Sequence, residues 1–194
     1  MADASIVEIR RFLDVLLEPG QVGELRALHT RQATASGYFD DLGEMAKGAQ
    51  SLSGKGPAVY VTLNPVNPDL LARAANQIKP YAHMTTADRD ILQRRWLPVD
   101  FDAVRPAGIS STDAEHEAAL NRAEECREWL RSQGWPEPIF ADSGSGAHLL
   151  YRVDLPVDDD RFAEMSLKAL AAKFNDDAVV VDVGNYNSAR IWKV

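Results

Sequence analysis

The residues best suited to chemistry are two aspartates, Asp100 and Asp102, at the end of a predicted strand over residues 96–101. Side chains at positions i and i+2 of a strand point to the same face, so these carboxylates project together while Phe101 turns into the core. Neighbouring carboxylates repel and resist ionisation. A divalent cation removes this conflict, and hard oxygen ligands suit Mg²⁺ or Mn²⁺. The pattern indicates a metal site; a pair of exposed aspartates at a strand end is the alternative.

A third aspartate, Asp182, ends an otherwise apolar run within residues 179–183. A buried carboxylate without a partner is costly or shifts its pKa, so Asp182 requires a partner. The alternative role for Asp182 alone is to form a turn before Gly184. Together with Asp100 and Asp102, it completes a set of three carboxylates for two metal ions about 3.5–4 Å apart.

A segment rich in glycine and serine, residues 142–148, joins two short predicted strands and ends at His148. Small residues let backbone N–H groups approach phosphate oxygens, and a following histidine can donate to the same anion. A flexible hairpin turn with a core histidine is the alternative. The small residues are Ser143, Gly144, Ser145 and Gly146.

Further along the chain, the guanidinium of Arg190 either binds a triphosphate through two hydrogen bonds or forms a salt bridge. Three other patterns predict no site. Residues 53–56 contain Gly-Lys-Gly but lack the spacing of a P-loop. Acidic residues around His116 match the first turn of a helix, where negative charge is favourable. Cys126, the single cysteine, is expected to pack within that helix.

The composition limits the class of protein. The 194 residues have a net charge of −8, which disfavours a protein that coats nucleic acid by bulk electrostatics but not an enzyme that holds it locally. One cysteine excludes an internal disulfide and a cysteine-rich zinc site. No apolar run is long enough to span a membrane, and no secretory signal is present, so a cytoplasmic protein without membrane contact is expected.

The elements that must position these residues mix helices and strands without regular β-α-β alternation, which favours the α+β class with a central, mostly antiparallel sheet flanked by helices. Pattern and turn signals predict the following segments. Helices are predicted over residues 4–17, 41–51, 68–78, 87–94, 111–131 and 158–174. Strands are predicted over residues 24–28, 58–63, 96–101, 139–141, 149–153, 178–183 and 189–194.

We expect a single domain over residues 1–194, with an N-terminal part over 1–57 and a motif-bearing core over 58–194. Because the chain ends inside a strand-like segment and natural termini usually fray, the domain is expected to come from a longer protein.

Three motifs occur in a recognisable order: D-x-D at residues 100–102, S-G-x-G-x-H at residues 143–148, and an apolar strand ending in Asp182. In this order the chain resembles the archaeo-eukaryotic primase superfamily, and more narrowly the primase–polymerase domains of phage, plasmid and CRISPR-associated replication proteins. The resemblance covers roughly residues 58–194 and includes Val-Thr-Leu-Asn-Pro-Val-Asn at residues 61–67.

This resemblance implies an RRM-like catalytic lobe in which Asp100, Asp102 and Asp182 bind two Mg²⁺ or Mn²⁺ ions. It also implies a DNA primase and DNA polymerase that makes or extends primers on a single-stranded DNA template from nucleoside triphosphates, with a possible helicase module in the parent protein. Contacts with the phosphates of the incoming nucleotide are implied for Ser143, Gly146, His148 and Arg190.

Template contacts are hypothesised for Lys55, Arg94 and Arg95. Two other functions stay open at this point. One is a related metal-dependent enzyme on the same carboxylates, either an end-joining polymerase or a phosphodiesterase. The other is a non-catalytic module that binds single strands during replication.

Overall fold

The computed structural model describes residues 5–30, 33–106, 108–157 and 159–194. The helices are α1 (Ile6–Leu16), α2 (Leu42–Leu52), α3 (Asp113–Ser132) and α4 (Asp160–Phe174). The strands are β1 (Gly23–Thr30), β2 (Ala33–Phe39), β3 (Val59–Thr62), β4 (Arg94–Ala103), β5 (Ile139–Asp142), β6 (Gly146–Leu155), β7 (Val179–Val181) and β8 (Ile191–Lys193). Residues 4 and 158, where two helices were predicted to begin, lie outside the described residues. Within these ranges, no helix combines the length and apolar character needed to cross a membrane.

The chain divides into two compact units, one formed by Met1–Arg94 with Ser188–Val194 and the other by Arg95–Asn187. Each unit contains one four-stranded sheet. The predicted division between residues 57 and 58 falls inside the first unit, because β3 pairs there with β1.

The first unit contains the sheet β2-β1-β3-β8, in which neighbouring strands pair antiparallel. Helix α1 is amphipathic: Ile9, Leu13 and Leu16 are buried at helical spacing, and the helix contacts α2. Helix α2 begins at the N-cap Asp41, whose side chain accepts hydrogen bonds from the backbone N–H groups of Gly43 and Glu44.

A buried charged group lies on β1, next to the edge strand β2. The carboxylate of Glu24 is fully buried and pairs with the guanidinium of Arg26 at 2.7 Å. It also accepts hydrogen bonds from the hydroxyl of Ser36 and from the N–H of Thr86. Because several donors satisfy it, the carboxylate joins β1 and β2 to the segment around residue 86 instead of standing as an isolated buried charge.

The helices predicted over residues 68–78 and 87–94 are wrong. Only short 3₁₀ helices form, at Pro68–Arg73 and Asp88–Asp90. After the first, the chain pairs with the outer strand β2 through backbone hydrogen bonds, including Tyr38 N–H to Ala74 C=O at 3.1 Å. After the second, residue 94 already begins β4. Backbone pairing with distant strands has therefore overridden the local helical pattern.

The second unit follows the order β4-α3-β5-β6-α4-β7 with strands arranged as β5-β6-β4-β7. This β-α-β-β-α-β connection is the ferredoxin-like arrangement of RRM-type folds. Its core lies on one face of the sheet, where side chains of β4, β6 and β7 pack against α3 and α4. The predicted α+β class with mostly antiparallel strands flanked by helices is confirmed, although the strands form two sheets where one central sheet was predicted.

Helix α3 begins at Asp113, close to its predicted start at residue 111, and its N-cap is Thr112. The Thr112 hydroxyl accepts from the N–H of Glu115, and the Glu115 carboxylate accepts from the N–H of Thr112, which forms a capping box. On the buried face, Cys126 packs among the core residues, and burial raises the pKa of its thiol to about 12. A thiol that stays protonated is not a nucleophile, so its predicted packing role is consistent with the structure.

Two glycines shape the β5–β6 hairpin for different reasons. Gly144 has φ +82° in a two-residue loop that Ser143 and Gly146 close through a backbone hydrogen bond of 3.1 Å. A positive φ at the first loop residue is typical of a type II′ turn. Gly146 approaches the backbone of the neighbouring strand β4, where an added Cβ would lie 2.1 Å from the Phe101 carbonyl oxygen.

We predict that Gly146→Ala destabilises the protein by roughly 3 kcal/mol or more, because the backbones of β4 and β6 would have to separate. Gly144→Ala, which meets no atom within 4 Å, should cost only about 1–2 kcal/mol from its left-handed backbone. Urea unfolding of both variants checks this order. Equal losses of stability would contradict the close approach of the two strands.

Candidate active site

The pairing of β4 with β7 places the third aspartate beside the first two. Phe101 lies opposite Val181 in the antiparallel register. One residue further, the N–H of Asp182 donates to the carbonyl of Asp100 at 2.9 Å, so these two aspartates stand opposite each other. Side chains directly opposite in an antiparallel pair share a face, with Cβ atoms about 4.5–5.5 Å apart. The predicted same-face arrangement of Asp100, Asp102 and Asp182 therefore agrees with the backbone register.

The alternation of side chains along β4 explains why the acidic residues lie on the face of the sheet away from the helices. Val99 and Phe101 are fully buried in the core beneath α3 and α4, and Val181 joins them from β7. Side chains of intervening residues must point to the opposite face. There the side chain of Asp100 is 19% exposed and that of Asp102 is 44% exposed.

His148 lies on β6, the other neighbour of β4. Its chain neighbours Ala147 and Leu149 are in the helix-side core, so the imidazole points to the acidic face. Its Nε2 lies 3.3 Å from Asp100 Oδ1. The structure thus brings together Asp100, Asp102, Asp182 and His148, which the sequence predicted as parts of one site.

The surroundings of Asp102 change its pKa. Partial burial raises the pKa of the Asp102 carboxyl, and the negative charges of Asp100 and Asp182 add to the rise. The guanidinium of Arg105, 3.8 Å from the carboxylate, opposes it. The sum of these effects disfavours the charged form of the Asp102 carboxyl in the folded protein.

Metal binding requires a rearrangement of these side chains. Among the described residues, no group of three His, Cys, Asp or Glu side chains is placed so that it could hold a metal ion. Each carboxylate instead has a contact within the protein: Asp100 with His148, Asp102 with Arg105, and Asp182 with the N–H of Gly184 at 2.8 Å. The donor type and shared face suit a hard divalent cation, but these contacts would have to be replaced.

The Ser-Gly loop is built differently from the predicted phosphate cradle. The N–H of Ser143 donates to Gly146, and the N–H of Gly144 donates to the Asp142 carboxylate at 2.7 Å. These two groups are engaged in the hairpin itself. Any phosphate contact by the loop would therefore have to use the serine hydroxyls or the remaining N–H groups.

The sequence did not predict one contact in this region. His116, at the start of α3, lies 2.8 Å through Nε2 from the Asp142 carboxylate, which also holds the loop N–H of Gly144. These interactions lower the pKa of Asp142, with the Gly144 hydrogen bond as the main cause. The helix-start pattern explained the acidic residues near His116, and no local signal connected the imidazole to a position 26 residues away.

The basic residues assigned to the template have different surroundings. Arg94 is 1% exposed and Arg95 is 5% exposed, with Arg95 facing Asp154 at 3.5 Å. Such burial does not fit the predicted template contacts of these two arginines. Lys55 is exposed in the loop after α2. Arg190 belongs to the first unit, where its carbonyl accepts from the N–H of Leu63.

A solved structure has a fold similar to that of this chain. The polymerase domain from Mycobacterium tuberculosis Ligase D in complex with DNA matches with a TM-score of 0.53 and 14% sequence identity. The match covers 97% of this chain and 75% of that chain. No protein-family model and no curated protein matches the sequence. At this identity the likeness shows that the chain shares the fold of that polymerase domain.

We predict that Asp102→Asn stabilises the metal-free protein at neutral pH. Because the folded-state pKa of Asp102 is raised, the folded protein holds its proton more tightly, and stability falls as pH rises through that pKa. The side chain is 44% exposed, so the gain should be limited to a few tenths up to about 1 kcal/mol.

Thermal unfolding in EDTA between pH 4 and pH 8 checks this expectation. The advantage of Asp102→Asn should shrink toward pH 4, where the wild-type carboxyl is increasingly protonated. A lower melting temperature for the variant at pH 7 would contradict the proposed charge repulsion.

Proposed function

We propose that this protein is a metal-dependent nucleotidyltransferase, a primase–polymerase that makes or extends primers on single-stranded DNA from nucleoside triphosphates. The observation that supports this best is the β4–β7 register, which sets Asp182 opposite Asp100 on the face that also holds Asp102. The fold shared with a DNA-bound polymerase domain adds support. Neither observation depends on the overall charge of the protein.

Asp100, Asp102 and Asp182 would hold Mg²⁺ or Mn²⁺ in this proposal. When bound, two such ions lower the pKa of an attacking 3′-hydroxyl and offset the charge of the triphosphate and the pyrophosphate leaving group. The three carboxylates supply hard oxygen ligands, and their mutual repulsion at Asp102 favours binding of positive charge.

His148 and nearby polar groups would bind the incoming nucleotide. Rotation of the imidazole away from Asp100 would free a donor for a phosphate oxygen where negative charge accumulates during transfer. The hydroxyls of Ser143 and Ser145 lie in the adjacent hairpin loop and would serve as further donors. Arg190 as a phosphate contact and Lys55 as a template contact remain parts of the proposal.

A second candidate is a polymerase that only extends an existing primer. It is favoured by the similarity in fold to the polymerase domain of a ligase. Bare single-stranded template and primed template distinguish the two functions. Products on the primed substrate alone would support the second candidate, and dinucleotide or longer products on bare template would support priming.

We predict that Asp100→Ala and Asp182→Ala each reduce nucleotide incorporation at least about hundredfold, because loss of a ligand should exceed the effect of a supporting residue. The measurement is incorporation of labelled nucleotides on single-stranded and primed DNA with Mn²⁺ or Mg²⁺. Asp177→Ala is the matched control, since it removes the same charge from an exposed position just before β7.

Unchanged incorporation in Asp100→Ala or Asp182→Ala would reject the assignment of the metal ligands. Calorimetry with Mn²⁺ gives an independent readout. If the wild-type protein binds no ion and incorporates no nucleotide, a non-catalytic single-strand-binding module is the better description.

We predict that His148→Ala raises KM for the nucleotide more than it lowers kcat, because it removes a donor to the phosphates while the three carboxylates remain. The side chain of His148 is largely buried but not in the helix-side core, so the fold should persist. Steady-state kinetics with circular dichroism tests both points. A normal KM in a folded variant would leave His148 only a structural role.

A further inference from the structure

A small basic and aromatic pocket lies along strand β2 in the first unit. Its volume is about 230 Å³, and it forms between the strand and the segment of residues 73–84. This pocket, the β2-edge pocket, shares no residue with the acidic face of the second unit. Its lining includes Tyr38, Arg73, Lys79, Tyr81, His83 and Met84.

The wall formed by residues 73–84 is fixed to the sheet. Ser36 and Lys79 exchange two backbone hydrogen bonds of 3.1 and 2.8 Å, and the N–H of Ala82 donates to the carbonyl of Thr34 at 2.8 Å. The close approach requires a glycine at position 37, because an added Cβ there would lie 2.2 Å from the carbonyl oxygen of Gln77. The pocket is therefore preformed, which lowers the entropy cost of binding.

Positive charge in the pocket is not balanced locally. None of the nine residues that line it is acidic, although the chain as a whole has a net charge of −8. In the part of the chain that the structure describes, Arg73 and Lys79 form no ion pair within 4 Å. The nearby buried Glu24 is paired with Arg26. Two uncompensated cations in a concave site attract an anionic ligand.

Arg73 is also held in position. Its Nη1 donates to the Tyr38 hydroxyl at 3.2 Å, and the guanidinium lies 5.8 Å from the centre of the Tyr38 ring. Tyr38 is 2% exposed, so the ring is a rigid support. An arginine oriented in this way can present its remaining N–H donors to a phosphate.

An exposed aromatic ring stands beside these cations. Tyr81 is 54% exposed and Met84 is 61% exposed, which is unusual for two large apolar side chains in one pocket. The backbone of Tyr81 has φ +59°, a left-handed conformation that bulky residues rarely adopt. An accessible ring next to basic groups is the combination that stacks a nucleobase while its phosphate is neutralised.

We infer that the β2-edge pocket binds a single-stranded nucleic acid, with a phosphate at Arg73 and Lys79 and a base stacked on Tyr81. The volume is below the roughly 300–1,000 Å³ of sites that enclose a whole small ligand, so the pocket takes one unit of a strand and not a free triphosphate. An acidic peptide would satisfy the charges but not the ring. The choice of nucleic acid rests on the proposed function, for which the pocket would hold the template or primer.

Fluorescence anisotropy with a labelled 20-nucleotide single-stranded DNA, in EDTA and without nucleotides, tests this inference. Tyr81→Ala should weaken binding about 5- to 100-fold through loss of stacking, while Tyr81→Phe should bind like the wild type. Arg73→Ala and Lys79→Ala should each lower the slope of log K against log salt by about 0.7. Arg11→Ala, which removes a 79% exposed cation on α1, is the charge-matched control.

Wild-type affinity and salt slope in all three pocket variants, with unchanged melting temperatures, would overturn the inference. So would tighter binding of a labelled polyglutamate peptide that the same variants abolish, because it would identify an acidic protein partner. Incorporation assays on the same samples separate this result from the proposed function. Pocket variants that lose DNA binding in EDTA support the inference even if the wild-type protein incorporates no nucleotide.

Discussion

The candidate active site depends on the antiparallel pairing between β4 and the short strand β7. Val181 and Phe101 are buried opposite each other, and burial of their apolar side chains specifies which residues of the two strands meet. A shift by one residue would turn Val179 and Val181 out of the core and move Asp182 to the helix side. The same hydrophobic contacts that stabilise the second unit therefore determine where its carboxylates point.

The neighbouring strand adds a second constraint from the other side of β4. Gly146 allows the backbone of β6 to approach Phe101, and this close pairing places His148 on the acidic face. The His116–Asp142 contact holds the loop that precedes it. Strands β4, β6 and β7, which are far apart in the sequence, thus determine the acidic face. Most of the residues that position them are not candidates for chemistry.

The candidate sites of the two units carry side chains of opposite charge. The acidic face of the second unit collects carboxylates, and partial burial together with the negative charges of Asp100 and Asp182 raises the pKa of Asp102, which favours a cation. The β2-edge pocket of the first unit instead collects Arg73, Lys79 and His83 without an acidic residue, which favours an anion. A chain with a net charge of −8 can thus offer a local site for phosphate, because a nucleic-acid strand responds to nearby charges within about a Debye length, 10 Å at 0.1 M salt.

The sequence by itself determined the features that depend on local periodicity. The alternation of side chains along β4 predicted that Asp100 and Asp102 share a face, the apolar run predicted β7, and the local pattern placed the start of α3 within two residues of Asp113. These predictions succeeded because backbone geometry relates residues a few positions apart in a fixed way.

Only the tertiary structure decided which distant segments meet. The register that sets Asp182 beside Asp100, the contact of His116 with Asp142 and the burial of Arg94 and Arg95 have no local sequence signal. The helix predicted over residues 68–78 failed for the same reason, since its backbone groups found partners on β2. Pairing energies between segments far apart in sequence outweigh propensities of less than about 1 kcal/mol per residue.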